Sequence, residues 1–210
     1  MPKKIPLGVD DFSELVSKQN DFLFVDKTLF IKEFIDDAVK VSLVIRPRRW
    51  GKTLNMSMLR YFFAPEVEGR STQGLFDDLN IAQEKEGAYL KHQGTHPVIF
   101  ISFKGVKEDS FDEFLANISE LMATLYREHY EILINSHKFS QSQKDVYTRV
   151  MDRKADKAEL QNALKLLSLC LEQHYEQKVI MLIDEYDTPL NIAYQYLISS
   201  NNCNRVPVYH

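Results

Sequence analysis

The sequence predicts an α/β fold, a three-layer α/β/α arrangement around a mostly parallel sheet, and three observations carry that prediction. Stretches of strand length and strongly apolar character stand at Pro97–Phe103 and Val179–Ile183, with a β-branched-rich one at Val41–Ile45. Long segments of helical periodicity separate them, as parallel strands require, because each crossover must span the sheet. The first and last of these strands run directly into chemistry-bearing residues: Gly51-Lys52-Thr53 after one, Asp184-Glu185 at the end of the other.

Composition sets the frame. A chain of 210 residues holds one sizeable α/β domain with its own core. With 44% hydrophobic and 27% charged residues, and only 7 Gly and 7 Pro, it reads as globular rather than disordered. A net charge of −4 supplies no global basic field for nucleic acid. The first residues, Met1-Pro2-Lys3-Lys4-Ile5-Pro6, lack the apolar run of a secretory signal, and no apolar stretch approaches the ~20 residues of a membrane span. Two cysteines, Cys170 and Cys203, make neither a disulfide framework nor a metal-ligand set; Cys170 is expected in the core. The expected setting is the cytoplasm, without a membrane partner.

In chain order, residues 1–40 are expected to form a lead-in packed on the core. Phe12, Leu15 and Val16 mark a short helix, Phe22–Val25 an extended segment, and Asp26 a cap for a helix over 27–39 with Phe30, Ile31, Phe34 and Ile35 on one face. The main domain is expected over 41–198. After Val41–Ile45 comes a basic loop, then a helix carrying Leu54, Met58, Leu59, Phe62 and Phe63 and ending before Pro65. Residues 75–81 read equally as helical turn or strand, 83–90 as a short helix, and 94–97 as a turn. The continuous apolar run at 97–103 predicts a strand buried on both faces. Ser110 and Glu113 form a capping box that opens a long amphipathic helix through Leu125 to His129. Residues 135–155, polar and mixed in charge, predict a surface loop. A helix follows over 157–175 with Leu160, Ala163, Leu164, Leu167 and Leu171 inward. Residues 199–210 are polar and unpatterned and predict an unstructured tail, with the sheet incomplete at that end.

The chemistry follows from where the polar residues fall. A strand, a loop, Gly-Lys-Thr and a helix make a P-loop context, in which backbone N–H groups and the helix N-terminus cradle phosphate oxygens. Lys52 is then the point charge for the β/γ-phosphates, Thr53 a hydroxyl ligand for Mg²⁺, and Gly51 the position where a Cβ would obstruct. The usual first glycine is absent; Arg46 and Pro47 occupy that part of the loop. Alone, Gly-Lys-Thr also fits a basic turn that opens an ordinary helix. An apolar strand ending in Asp184 is a Walker B arrangement, with Asp184 expected to hold Mg²⁺ and Glu185 to serve as general base. The same acids also fit a plain cap for the helix after Thr188-Pro189. Two half-motifs in the right order, with a strand between them, favour nucleotide binding. The missing Asn-Lys-x-Asp stretch favours ATP over GTP. Of Arg46, Arg48 and Arg49, Arg49 is the candidate phosphate ligand. Trp50 fits adenine stacking or, more in keeping with its size, packing beneath the loop.

These stretches resemble the bacterial AAA-ATPase-like domain proteins. The resemblance rests on Val25-Asp26-Lys27-Thr28, Arg46-Pro47-Arg48-Arg49-Trp50-Gly51-Lys52-Thr53 and Leu182-Ile183-Asp184-Glu185-Tyr186-Asp187-Thr188-Pro189-Leu190. It implies an ATP- and Mg²⁺-dependent ATPase module in a nucleic-acid-linked system, with nucleic acid or a following PD-(D/E)XK nuclease-like domain as partner. It also implies a further strand with a polar sensor residue, which the tail does not resemble. No arginine finger is identifiable either. Two other readings stay open at this point: a nucleotide-binding interaction module or truncated remnant with little hydrolysis, and a nucleic-acid binder using Arg46, Arg48 and Arg49. Oligomeric state is not legible.

Overall fold

The computed structural model describes residues 3–45, 50–104, 111–134, 136–191 and 194. Helix α1 (Phe12–Val16) starts where Asp11 accepts a hydrogen bond from the Glu14 N–H. Helix α2 (Leu29–Asp37) ends at Ala38 in a left-handed conformation. Helix α3 (Lys52–Phe63) follows Gly51 and stops at Ala64, before Pro65. A two-residue hairpin, β1 (Glu66–Val67) and β2 (Arg70–Ser71), precedes α4 (Asn80–Gln83) and two 3₁₀ turns at 84–87 and 90–92. Strand β3 (Val98–Ser102) is followed by α5 (Phe111–Glu128), α6 (Tyr130–Ile134), α7 (Gln141–Met151) and α8 (Lys157–Tyr175), and then by β4 (Ile180–Asp184).

Strands β3 and β4 pair in parallel, from Val98 opposite Ile180 to Ser102 opposite Asp184. Successive side chains of a strand point to opposite faces, and here the two faces enter two different cores. Val98 and Leu182 pack with α3 in a cluster that includes Phe12, Ile31, Phe62, Phe63 and Phe76. Ile99 and Ile101 pack with α5, α7 and α8 through Leu125, Tyr126, Tyr147, Leu167 and Leu171. The small parallel sheet therefore lies between two helical layers, and both lead-in helices share a core with α3. Among the described residues, no helix is long and apolar enough to cross a membrane.

Several expectations change. Residues 41–45 do not form a strand: Val41, Leu43 and Ile45 are 86%, 60% and 81% exposed. β-Branched residues favour a strand only where a neighbour supplies ladder partners and packing, and among the described residues β4 pairs with β3 alone. Residues 135–155 are not a surface loop. Ser140 and Gln143 make a reciprocal capping box that opens α7, and Tyr147 and Val150 of that helix are buried. The helix predicted over 27–39 is shorter, and Asp26 does not cap it in the expected way. Its carboxylate accepts from the Thr28 N–H and hydroxyl and, across the chain, from the Asn80 N–H at 2.8 Å. The Thr28 hydroxyl in turn accepts from Ile81 N–H, so this pair ties α2 to the start of α4. Residues 75–79 are turns, and 84–92 form 3₁₀ rather than α turns. The capping residue Ser110, Cys203 and the 199–210 tail lie outside the described residues; Cys170 is buried.

Candidate functional site

The site is built where the N-terminus of α3 meets the C-terminal tip of β4. Gly51 stands at the N-cap of α3 with φ 74°, the left-handed region that glycine enters without strain, and its carbonyl accepts from the Asn55 N–H at 2.9 Å. Among the described residues nothing lies within 4 Å of its missing Cβ. The helix has no acidic side chain in its first turn and no capping side chain at Gly51, so its own side chains do not offset the partial positive charge of its initial N–H groups. Lys52 is the first helical residue and half-buried.

At the next residue the two halves touch. The Thr53 hydroxyl donates to Asp184 Oδ2 at 2.7 Å, across 131 residues of chain. Asp184 is 3% exposed, and its other oxygen accepts from the Glu185 N–H at 3.1 Å. Glu185 itself is exposed and has φ 51°. A non-glycine residue there costs roughly 1 kcal/mol or more; it turns the chain sharply off the sheet, and the Glu185 carbonyl then accepts from the Thr188 N–H at 3.0 Å. Residues 188–191 are helical.

The neighbouring strand adds a group that sequence reasoning missed. The Phe103 N–H donates to the Asp184 carbonyl at 3.1 Å, carrying the ladder one step beyond β3. Lys104 follows at the same tip and pairs with Asp10 at 2.6 Å. The hydrogen bond and charge of Asp10 raise the Lys104 pKa, and the Glu185 and Asp184 carboxylates push the same way. Only its position opposite the Asp184 strand end, which needs the register, marks it as part of the site.

Of the residues expected here, the structure brings together Gly51, Lys52, Thr53, Asp184 and Glu185. Arg46, Arg48 and Arg49 lie outside the described residues. Trp50 is 61% exposed, and Val41, Leu43 and Ile45 are exposed at 60% or more; the loop beneath which the indole was expected to pack lies outside the described residues. The oxygen set of Thr53 and Asp184 suits a hard cation such as Mg²⁺, which takes one or two protein ligands and the rest from phosphate and water. Among the described residues, no group of three or more His, Cys, Asp or Glu offers a self-contained metal cage.

The family model described as a predicted AAA-ATPase, AAA-ATPase_like, matches residues 6–204. No curated protein and no solved structure matches the chain.

Proposed function

Since the chain belongs to the AAA-ATPase-like family, we propose that it binds ATP with Mg²⁺ and hydrolyses the terminal phosphoanhydride, with the tip of β4 and the start of α3 as its active site. The Thr53–Asp184 contact carries the reading: a helix-initial hydroxyl and a buried strand-end carboxylate meet beside a helix N-terminus with no acidic or capping side chain of its own. Lys52, Gly51 and the first N–H groups of α3 bind the β/γ-phosphates, with Arg49 as a further ligand and Trp50 as a stacking surface for the base. Thr53 and Asp184 hold the Mg²⁺, which when bound offsets charge on the phosphate oxygens. Glu185, exposed just beyond, orients the attacking water and accepts its proton. The nucleic-acid-linked setting belongs to the same proposal.

Replacement of Lys52 by Ala is expected to abolish ATP binding by calorimetry. Glu185→Gln is expected to retain binding and lose phosphate release. Parental hydrolysis in both variants would overturn the roles. The second reading is a nucleotide-binding module with little turnover. It is favoured by residues 41–45, which are exposed and form no strand among the described residues, so that the segment before Gly51 brings no sheet support to the site. Tight ATP binding without phosphate release in the parent chain would select it.

A further inference from the structure

We infer that a cavity at the far end of the sheet, where Val98 and Ile180 begin the ladder that Ser102 and Asp184 end, is a second binding site, and that it takes the primary ammonium head of an alkyl chain. The cavity lies where α3, α5 and α8 end and β3 begins. About 18 Å of α3 separates it from the Thr53–Asp184 contact.

Its walls divide by chemistry. Ala64, Pro65, Pro97 and Val98 give apolar sides, while Glu66, Glu68, Glu128, His129 and Tyr175 give polar ones. Among the described residues that line it, none is a lysine or an arginine. The β1–β2 hairpin brings the outer carboxylates: Val67 is buried in the core shared with α3, and Glu66 and Glu68 on either side of it are exposed at the rim. Neither has an ion-pair partner among the described residues. Glu128 has one, since Arg60 Nη2 donates to its Oε1, and the same guanidinium lies 5.5 Å from the centre of the Phe100 ring. Arg60 is thereby engaged from two sides. Burial, and after it the Glu66 charge, raise the Tyr175 pKa, so the phenol stays protonated beside that carboxylate.

His129 stands at the bend between α5 and α6, where its carbonyl accepts from the Leu133 N–H at 3.1 Å. Its Nε2 is buried and has no hydrogen-bond partner. A buried ring nitrogen left so is costly, and a group seated in the cavity removes that cost. Burial lowers the His129 pKa, so the ring is neutral at neutral pH and, with its proton on Nδ1, presents Nε2 as an acceptor. The cavity volume is about 10 Å³, the space of one water-sized group. An ammonium head has that size and three donors, and it supplies charge that Arg60 does not supply to Glu66 and Glu68. A guanidinium or a quaternary ammonium is too large. A water would satisfy Nε2 and leave the rim acids unmatched. The apolar sides suit the methylene stem behind the head.

Titration of the full chain with n-butylammonium at constant ionic strength, read at the His129 ring nitrogens by NMR, tests the site. A saturable movement of the Nε2 signal in the millimolar range is expected, with tetramethylammonium moving it little. By calorimetry, His129→Leu is expected to weaken butylammonium binding about tenfold. Glu66→Gln with Glu68→Gln is expected to weaken it about threefold to fivefold, and because both positions are exposed this variant keeps the fold even where His129→Leu does not. An equal response to tetramethylammonium means surface screening alone, and no response to butylammonium leaves the cavity to a water; either result overturns the site. Unchanged affinity in both variants overturns it too. A lysine-bearing peptide and cadaverine then distinguish the sources of the head: tighter binding of the peptide assigns a protein side chain, tighter binding of the diamine a free amine.

Discussion

The hydroxyl of Thr53 lies against a carboxylate that is almost cut off from water. Asp184 takes one bond from that hydroxyl and one from the next peptide N–H. Removing the hydroxyl strips a charged, buried group of a donor, which costs about 1–3 kcal/mol. Thr53→Ala should therefore lower the urea midpoint of the nucleotide-free protein, and Thr53→Ser should leave it near the parent. Histidines give a second test at this scale. Burial lowers the pKa of His129, His96 and His174, and the buried Nε2 of His129 has no hydrogen-bond partner. Their folded-state pKa values fall below the unfolded value of about 6.5, so each stabilises fully above that pH and loses its contribution as pH falls through the folded value. The melting temperature should drop between about pH 7 and pH 5, and His129→Leu should flatten part of that slope. The sequence marked Thr53 and Asp184 separately, because each sits in a local pattern. It could not mark Asp26 and Thr28 as ties to Asn80 and Ile81, because that contact exists only after folding.

Strands and helices were legible to the extent that their own residues decide them. The 98–102 and 180–184 strands are apolar enough to declare themselves, although Met181 of the second is 40% exposed, and α8 opens with an Asp156–Glu159 capping box and carries an inward stripe. Helix α7 was hidden because polar residues dominate its composition, so that only the Ser140–Gln143 cap and the spacing of Val146, Tyr147 and Val150 betray it. The cap is expected to contribute about 1 kcal/mol. Ser140→Ala should lower stability by that amount in urea titration, whereas a mobile loop would show no change. The reverse error came at 41–45, where β-branched composition suggested a strand and the segment has no ladder partner among the described residues. Composition reports the residue's preference; the neighbour decides whether it is met.

For the molecule as a whole, two cores on either side of a two-stranded sheet predict unequal sensitivity to apolar substitutions. Leu182, 5% exposed on the α3 side, should cost about 2–5 kcal/mol on replacement by Ala. Leu43, 60% exposed, should change stability by less than about 0.5 kcal/mol on replacement by Lys. Chemical denaturation of the two variants compares them directly, and a comparable loss at both would mean that residues 41–45 are covered in solution. The α/β class and the family both follow from features spread along the chain, while the small extent of the sheet depends on which segments find partners.

The 131-residue separation of Thr53 and Asp184 also sets a timetable. At roughly 5–20 residues per second on the ribosome, Thr53 is made on the order of ten seconds before the carboxylate it meets. During that interval its hydroxyl has only water and the nascent chain to bond, so this contact joins the fold after the helix that carries it has left the ribosome.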